Sequence, residues 1–506
     1  MNDLVNKSIS AEFLQKNFNE AINNVKNNNY IEALNKFENI NSFKKNNPKI
    51  LSLISFCYYN LNNYIKAEKY ISKAIALDPN ESGYYINKGN ILKGQKKFLL
   101  AEKIYLKSIK LFKNSAELYY NLGVLYADQH KYDLAIRSYK KSLMIDNKNK
   151  FTLNNMGSAL KKLGKFKKSK EFHQNAILID PFFNDAQYNL SFLLLSEGQF
   201  IEGWLKYESR KKSLDITKIL NIPKTKIWDG NQFNSTLVVH AEQGVGDEIL
   251  ISSLYNELFN RQKNLCIFCD KRLIKIFERS FSEIKFVDRK SSFTFIKQSK
   301  HIFSFSLGQY FRTDIKSFYN NSKKWLYSNH KIDKKIQNLI PKSNKVKIGI
   351  SWKSPSSRQN NKDISLLKMI SIMPKDLFEL INLQYGNIKD DKDEIWKKAK
   401  RQLILLENID YKNDFDSLIS LIVNCDAVVT SDNITAHFAG ALGKKTFLLV
   451  PVDAFWYWQT KKTKSIWYPT INIYRQNELN NWDHPINKLK YDLNDLFNKK
   501  AQDLLK

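Results

Sequence analysis

Residues 116–150 read AELYYNLGVLYADQHKYDLAIRSYKKSLMIDNKNK, and this stretch decides the fold of the N-terminal half. Large apolar or small residues recur at the i, i+3, i+4, i+7 spacing that keeps one face of a helix apolar. They are Tyr119, Leu122, Gly123 and Tyr126 on a first helix, followed by Ala135 and Tyr139 on a second. The stretch therefore predicts two packed helices joined by a short turn.

The same pattern returns at a constant interval along the chain. Small residues mark each return, where two helices must approach closely: Ala33, Ala67, Ala101 and Ala135, and likewise Gly89, Gly123 and Gly157. Six units fit between about residue 14 and residue 213, with Ser169 and Gly203 replacing the alanine in the last two. Asp78-Pro79 and Asp180-Pro181 fall at unit ends, where proline stops a helix.

This interval is the period of tetratricopeptide repeats, and the stretch 1–213 resembles such repeats. The resemblance implies an α-helical superhelix whose concave surface holds a protein partner or an extended substrate. A spacer or a contact between two copies is the alternative.

The composition narrows the class of protein. A chain of 506 residues is long enough for several domains, and a hydrophobic content of 43% excludes a disordered chain. The net charge of +31 favours the binding of polyanions. Only ten of the 81 basic residues are Arg, the residue best suited to bidentate contacts with phosphate and guanine, so we expect no specific nucleic-acid site. Four cysteines, no apolar signal core and no long apolar run lead us to expect a cytoplasmic protein without a transmembrane segment.

After residue 213 the pattern changes to short apolar runs that alternate with helical stretches, which predicts parallel sheets. Strands are expected at 235–240, 265–269, 284–287, 346–352, 380–383, 427–431 and 446–450. A Lys- and Asn-rich stretch at 316–345 divides this half. We therefore expect three domains: the repeats at 1–213 and Rossmann-like domains at 214–335 and 336–506, with a ligand cleft between the latter two.

The first predicted strand ends in a glycine-rich turn, Glu242-Gln-Gly-Val-Gly-Asp247. Gly244 and Gly246 allow the backbone to approach a ligand closely. Asp247 opens a helix, where its carboxylate can either cap the helix or act as a general base in the cleft.

A second turn follows the strand at 427–431 and reads Ser431-Asp-Asn-Ile-Thr-Ala-His437. The free N–H groups at Asn433 to Thr435, with the helix dipole, form an anion site that suits a diphosphate. Capping of the helix by Ser431 or Asp432 is the alternative interpretation.

Taken together, these turns are similar to those of heptosyltransferase-type glycosyltransferases. The resemblance also includes Asn413-Asp-Phe-Asp-Ser-Leu-Ile419, Gly349-Ile-Ser-Trp352 and Trp467-Tyr-Pro469, and it covers most of residues 226–485. It implies the α/β GT-B fold of two Rossmann-like domains, a nucleotide-sugar donor as substrate, and a metal-independent inverting reaction without a cofactor. The acceptor would be a hydroxyl of a lipopolysaccharide core, another glycan or a protein.

The resemblance also implies residue roles. Asp247 falls on the proposed base, while Ser431, Asp432, Asn433, Thr435 and His437 fall on the donor-site motif. Ile434 departs from the small residue usual there, and a branched side chain can shift the donor choice or prevent binding.

Other candidates come from their positions at strand ends. The basic residue that neutralises the diphosphate is one of Lys353, Arg358 and Lys362. Gln384 can hydrogen-bond a base or sugar, and His240 and Gln243 lie beside the glycine turn on the acceptor side. The aromatic residues at 455–458 and at 467–468 can stack on a ligand or pack in the core.

Three hypotheses follow. The first is a glycosyltransferase whose repeats present the acceptor or a partner protein. The second is a catalytically silent repeat scaffold, and the third is a polyanion binder, with peripheral contact to a membrane as one form. The short aromatic junction at 203–208 predicts a fixed rather than a flexible connection between the repeats and the α/β half.

Overall fold

The computed structural model describes residues 2–43, 45–214, 226–291, 299–319, 324–354, 362–407 and 409–505. The chain forms two compact units. The first comprises Met1–Lys161 and Lys167–Pro181, and the second comprises Lys162–Phe166 and Phe182–Lys506.

Ten helices precede Pro181 and pack as consecutive antiparallel pairs. They are α1 Asn2–Lys26, α2 Tyr30–Phe43, α3 Pro48–Asn60, α4 Tyr64–Leu77, α5 Ser82–Gly94, α6 Phe98–Leu111, α7 Ala116–Asp128, α8 Tyr132–Ile145, α9 Lys150–Lys162 and α10 Phe166–Ile179. The pair predicted from residues 116–150 is therefore α7 and α8.

The glycine positions of the repeat allow close contact between paired helices. A Cβ atom at Gly89 would lie 2.3 Å from the Tyr105 ring, and one at Gly123 would lie 2.4 Å from the Tyr139 ring. The alanine positions are fully buried. The structure thus confirms that the recurring alanine and glycine positions mark close contacts between helices.

His173 takes the place of these tyrosines in the fifth repeat. A Cβ atom at Gly157 would lie 2.8 Å from its ring, and its Nδ1 atom lies 2.9 Å from Oδ1 of Asn154. Burial lowers the pKa of His173 to about 3, so the ring is neutral and serves as a core side chain.

The second unit begins with the sixth repeat, which comprises α11 Asn184–Ser196 and α12 Phe200–Tyr207 and is followed by the short helix α13 Arg210–Ser213. Trp204 is buried against the α/β region: its indole N–H donates to the Arg312 carbonyl at 2.7 Å, and its ring centroid lies 5.2 Å from that of Trp456. The compact units therefore divide before the sixth repeat, and the domain bounds expected from the sequence stay a prediction.

The first sheet has four parallel strands in the order β3-β2-β1-β4. The strands are β1 Leu237–His240, β2 Leu265–Cys269, β3 Lys285–Asp288 and β4 Lys300–Phe303. Its helices are α14 Val245–Ile251, α15 Tyr255–Arg261, α16 Ile274–Ser280 and α17 Gly308–Phe311. The sequence predicted the first three strands and missed β4.

The second sheet has five parallel strands in the order β6-β5-β7-β8-β9. The strands are β5 Val346–Ser351, β6 Phe378–Asn382, β7 Ala427–Ser431, β8 Thr446–Val450 and β9 Ile471–Arg475. Its helices are α18 His330–Leu339, α19 Leu366–Ile370, α20 Lys389–Ala399, α21 Phe415–Val423, α22 Ile434–Ala441 and α23 Asp483–Leu505. Only β9 was not predicted.

In each sheet the order in which successive strands are added reverses once. The reversal lies between β1 and β4 in the first sheet and between β5 and β7 in the second. Ligands of open parallel sheets bind at such switch points, outside the carboxyl ends of the strands. The glycine turn follows β1, and the Ser431–His437 turn follows β7, which is the neighbour of β5. Both candidate turns therefore lie where this architecture places ligand sites.

The two cysteines of β2, Cys266 and Cys269, do not lie together in one site. Cys266 packs in a cluster with Val238 and Phe268, whereas Cys269 belongs to the main core on the other side of the sheet. All four cysteines of the chain are buried and free. Among the described residues, no group of three His, Cys, Asp or Glu side chains is placed to hold a metal ion.

Candidate functional site

The glycine turn after β1 places Asp247 at the start of α14. Its Oδ2 atom accepts a hydrogen bond from the Gly244 N–H at 3.2 Å. Burial raises the pKa of Asp247 to about 7, and the nearby carboxylate of Asp432 acts in the same direction, while Gly244 and Lys362 oppose the shift. The side chain thus caps the helix and also has a pKa suited to a general base near neutral pH.

The two turns meet at Gly246. A Cβ atom at Gly246 would lie 2.8 Å from Cδ2 of His437, which belongs to α22 of the second sheet. A glycine is needed here because only its backbone leaves room for the imidazole ring. The N-terminal ends of α14 and α22 therefore lie against each other, and the sequence-predicted residues of both turns form one site.

Asn433, and neither Ser431 nor Asp432, caps helix α22. The Asn433 Oδ1 atom accepts from the Thr435 N–H at 2.9 Å, and its amide donates to Ser351 Oγ at 2.8 Å. The buried Thr435 hydroxyl has no hydrogen-bond partner in the part of the chain that the structure describes. The free N–H groups expected at Asn433 to Thr435 are largely used within the turn, because the Asn433 N–H donates to the Ser431 carbonyl at 2.8 Å and the Thr435 N–H donates to Asn433. The Thr435 hydroxyl and the helix dipole are what this turn offers to an anionic ligand.

Because Asn433 supplies the cap, Asp432 is available for other contacts. One carboxylate oxygen accepts from the Trp458 indole N–H at 2.9 Å, and the other lies 3.0 Å from the Lys362 ammonium. Both side chains of this ion pair are almost fully buried, and the ammonium lies 4.0 Å from the centre of the Phe455 ring. Of the basic candidates that the structure describes, Lys362 is the one at the site.

His437 is also buried and neutral. Burial lowers its pKa to about 4, and its Nδ1 atom lies 2.8 Å from the Tyr468 hydroxyl. The ring packs among Tyr457 and Trp458, so both predicted aromatic clusters surround the site from the core side. Apart from the partly exposed Phe455, the aromatic residues of both clusters are buried, which supports the packing interpretation rather than stacking on a ligand.

The remaining donor-side candidates within the described ranges contact residues other than Asp432. The Lys353 ammonium pairs with Asp391 at 2.5 Å, and Arg358 lies outside the described residues. The Gln384 amide oxygen accepts from the backbone N–H groups of residues 352 and 353, each at 3.0 Å. Gln384 therefore joins the ends of β5 and β6, and direct contact with a base or sugar stays a prediction.

On the acceptor side, His240 pairs with another histidine. Its Nε2 atom lies 3.0 Å from Nδ1 of His301, and burial lowers the pKa of each ring to about 4. Gln243 donates from its amide to the Tyr207 hydroxyl at 2.8 Å and accepts at its backbone carbonyl from Arg289. Both residues support the glycine turn.

Sequence reasoning missed the buried ion pair behind this turn. Arg210 is fully buried and donates two hydrogen bonds to Glu242, at 2.7 and 2.9 Å, and a third to Glu208 at 2.8 Å. Glu242 also accepts from the Phe305 N–H at 3.0 Å. The only sequence signal was the acidic residue at the first position of the turn, which has no partner within the motif.

A cavity of about 490 Å³ opens where the two turns meet. Gly246 and Ile434 line it together with Arg272, Tyr385 and Phe415. A second cavity of about 720 Å³ shares Tyr385, Gly386, Tyr411 and Lys412 with the first and extends along the end of β6. Ile434 thus borders the space that a ligand at this site would occupy.

Comparisons with known proteins identify the repeats. Tetratricopeptide repeat models match residues 48–81, 82–115, 116–149 and 152–183. The resemblance seen in the sequence is therefore confirmed for the N-terminal half, which has the architecture of a scaffold for protein partners.

The proteins that are similar to parts of the chain include one curated relative and the two solved structures that follow. Protein FlbA of Caulobacter vibrioides is 23% identical over 337 residues, which cover 61% of this chain and 55% of that protein. The chain thus spans about half the length of this relative. A thermophilic tetratricopeptide protein of Thermus thermophilus is 16% identical, with a TM-score of 0.33, and covers 36% of this chain and 99% of its own. MamA of Desulfovibrio magneticus is 20% identical, with a TM-score of 0.28, and covers 33% of this chain and 95% of its own.

None of the helices within the described ranges has the length and hydropathy needed to span a lipid bilayer.

Proposed function

We propose that the α/β half is a GT-B glycosyltransferase that moves a sugar from a nucleotide-sugar donor to a hydroxyl acceptor with inversion. The observation that carries the proposal is the meeting of two helix N-termini from two parallel sheets, with Asp247 on one and the Lys362–Asp432 pair beside the other. One turn offers a base and the other offers a site for a diphosphate.

Asp247 takes the proton of the acceptor hydroxyl as that oxygen attacks the anomeric carbon of the donor. The bond from the anomeric carbon to the diphosphate oxygen breaks, and the nucleoside diphosphate leaves with its electron pair. Attack opposite to the leaving group inverts the anomeric centre. A carboxyl with a pKa near 7 is a base of suitable strength for this step at neutral pH.

The leaving diphosphate needs positive charge and N–H donors. The N-terminus of α22 directs the positive end of its dipole at the diphosphate, and the unpartnered Thr435 hydroxyl is a hydrogen-bond donor there. The Lys362 ammonium supplies the charge, and Asp432 holds it in place. Ile434 lies at the wall of the cavity, where its side chain would narrow the choice of donor sugar.

A donor-hydrolysis screen across nucleotide sugars, with wild-type protein and Asp247→Asn, tests this proposal. We expect one donor to be consumed, and we expect the variant to fold, to keep donor binding and to turn over about 100- to 10,000-fold more slowly, as for loss of a general base. Equal turnover by both proteins would remove Asp247 from the mechanism. If no donor is consumed and none binds, the silent-scaffold hypothesis is favoured instead.

A further inference from the structure

The second helices of repeats two, three and four share an unusual outer face. These helices are α4, α6 and α8, and matched positions along them are one repeat period apart. Two matched positions, one helical turn apart, are basic and exposed in all three: Lys69 and Lys73, Lys103 and Lys107, and Arg137 and Lys141. Asp133 is the only acidic residue exposed on these three helices. We call the exposed side of α4, α6 and α8 the basic face.

Large apolar side chains lie among these charges. Ile65 is 82% exposed and Leu99, at the matched position of the next repeat, is 78% exposed. Leu100 and Met144 are 51% and 77% exposed. Ile65, Leu99 and Leu100 lie in the first turns of their helices and Met144 lies in the last turn of α8, so exposed apolar side chains are spread along the basic face. A requirement for solubility does not explain them, and they indicate a surface that loses its water on binding.

The Lys-rich composition of the chain does not explain the basic face. The same two positions are Asn35 and Asn39 on α2, and Glu171 and Asn175 on α10. This pair of basic positions therefore occurs in three consecutive repeats within one compact unit, while the exposed basic residues of α10, Lys167 and Lys168, lie at other positions. Across the described residues, no acidic side chain lies within ion-pair distance of the six basic residues named above.

We propose that the basic face docks on an anionic phospholipid bilayer. Lysine ammonium groups attract anionic headgroups, and apolar side chains beside them enter the boundary between headgroups and acyl chains. A protein partner fits less well, because protein interfaces are depleted in Lys and enriched in Arg and aromatic residues, and the basic face exposes one Arg and no aromatic ring. A nucleic acid would use the charges but not Ile65, Leu99 and Met144.

Repetition makes the contact additive. Stacked repeats present matched positions on the same side, so each of the three repeats adds two basic residues to one surface. Ile65 and Leu99 add apolar side chains at a matched position where the fourth repeat has Asp133, and Met144 is the exposed apolar residue of that repeat. Such a contact holds the protein on the bilayer without any spanning helix. It is independent of the proposed glycosyl transfer, because the basic face belongs to the first unit and the candidate site to the second.

Vesicle flotation with the full chain tests this proposal. Wild-type protein should float with phosphatidylcholine vesicles that contain phosphatidylglycerol and not with phosphatidylcholine alone, and higher salt should weaken the binding. The triple variant K69Q/K103Q/R137Q should bind about 100-fold more weakly, since each basic residue near an anionic surface contributes about a factor of five. The matched control K331Q/K334Q/K335Q removes the same charge from exposed positions on α18 and should bind like the wild type.

A second variant separates the bilayer from other polyanions. I65S/L99S/M144S keeps every charge and should also bind the anionic vesicles more weakly, with unchanged binding to a DNA duplex. The proposal is overturned if wild-type protein does not float with anionic vesicles, or if the control triple weakens flotation as much as the test triple. It is also overturned if the serine variant floats like the wild type, because the basic face would then act through charge alone.

Discussion

Asp247 is the residue on which the proposed reaction depends, and two predictions follow from its raised pKa. Burial and Asp432 raise that pKa to about 7, so the carboxylate is half ionised near neutral pH. We expect kcat/KM for glycosyl transfer to rise with pH below about 7 and to level off above it. A pH profile that is flat between pH 5 and pH 8 would assign the base to another group.

The same pKa affects stability. The pKa of an Asp in the unfolded chain is about 3.9. Between that pH and about pH 7, the folded protein holds a proton on Asp247 that the unfolded chain has lost. The free energy of unfolding therefore falls as the pH rises through this interval. Asp247→Asn removes this dependence, so its melting temperature should exceed that of the wild type by more at pH 8 than at pH 4. Equal differences at both pH values would contradict the raised pKa.

At the scale of elements, the contact between α14 and α22 depends on Gly246. A methyl group there would lie 2.8 Å from the His437 ring, so one helix must move. We expect Gly246→Ala to destabilise the protein by about 1 to 3 kcal/mol, as overpacking does, and to weaken donor binding as well. Gly244→Ala is the control for stability, because its nearest neighbour would lie at 3.4 Å; a larger loss of stability in the control would contradict this geometry.

The short helix α13, which follows the sixth repeat, supports the glycine turn through the Arg210–Glu242 pair. Arg210→Met leaves the buried Glu242 carboxylate without its partner, which should cost about 3 to 5 kcal/mol. Arg210→Met with Glu242→Gln removes both charges and should recover much of that loss. Urea unfolding of the two variants measures the difference. If the double variant is no more stable than the single one, the pair does not contribute in this way.

The elements also show what the sequence could predict. The repeat period predicted the helical pairs, and the apolar runs predicted seven strands, because both signals arise from local burial patterns. The missed strands β4 and β9 are edge strands without a continuous apolar run: β4 begins with Lys300 and His301, and β9 contains Asn472 and ends with Arg475. Asp247, Asp432 and His437 were predicted on their turns. The Lys362–Asp432 and Arg210–Glu242 pairs join distant segments, which no local pattern encodes.

At the scale of the whole molecule, we predict separable roles for the repeats before residue 116 and for the α/β half. The cut falls between α6 and α7, and the candidate site and sixth repeat belong to the other compact unit. We expect a protein that lacks residues 1–115 to bind the nucleotide-sugar nearly as well as the full chain does, and to lose transfer to its native acceptor. Transfer at the full rate would instead assign acceptor recognition to the α/β half alone.

The central claim is that the meeting of the two turns forms a site for a nucleoside diphosphate. Calorimetry with a panel of nucleoside diphosphates tests it most directly, on the wild type, on Lys362→Met and on the control Lys353→Met, whose ammonium pairs with Asp391 instead. We predict that at least one nucleotide binds the wild type and that Lys362→Met weakens this binding about tenfold or more, as loss of a buried charge contact does, whereas Lys353→Met has a smaller effect. Failure of every nucleotide to bind at millimolar concentration, or equal binding by Lys362→Met and the wild type, would contradict the claim.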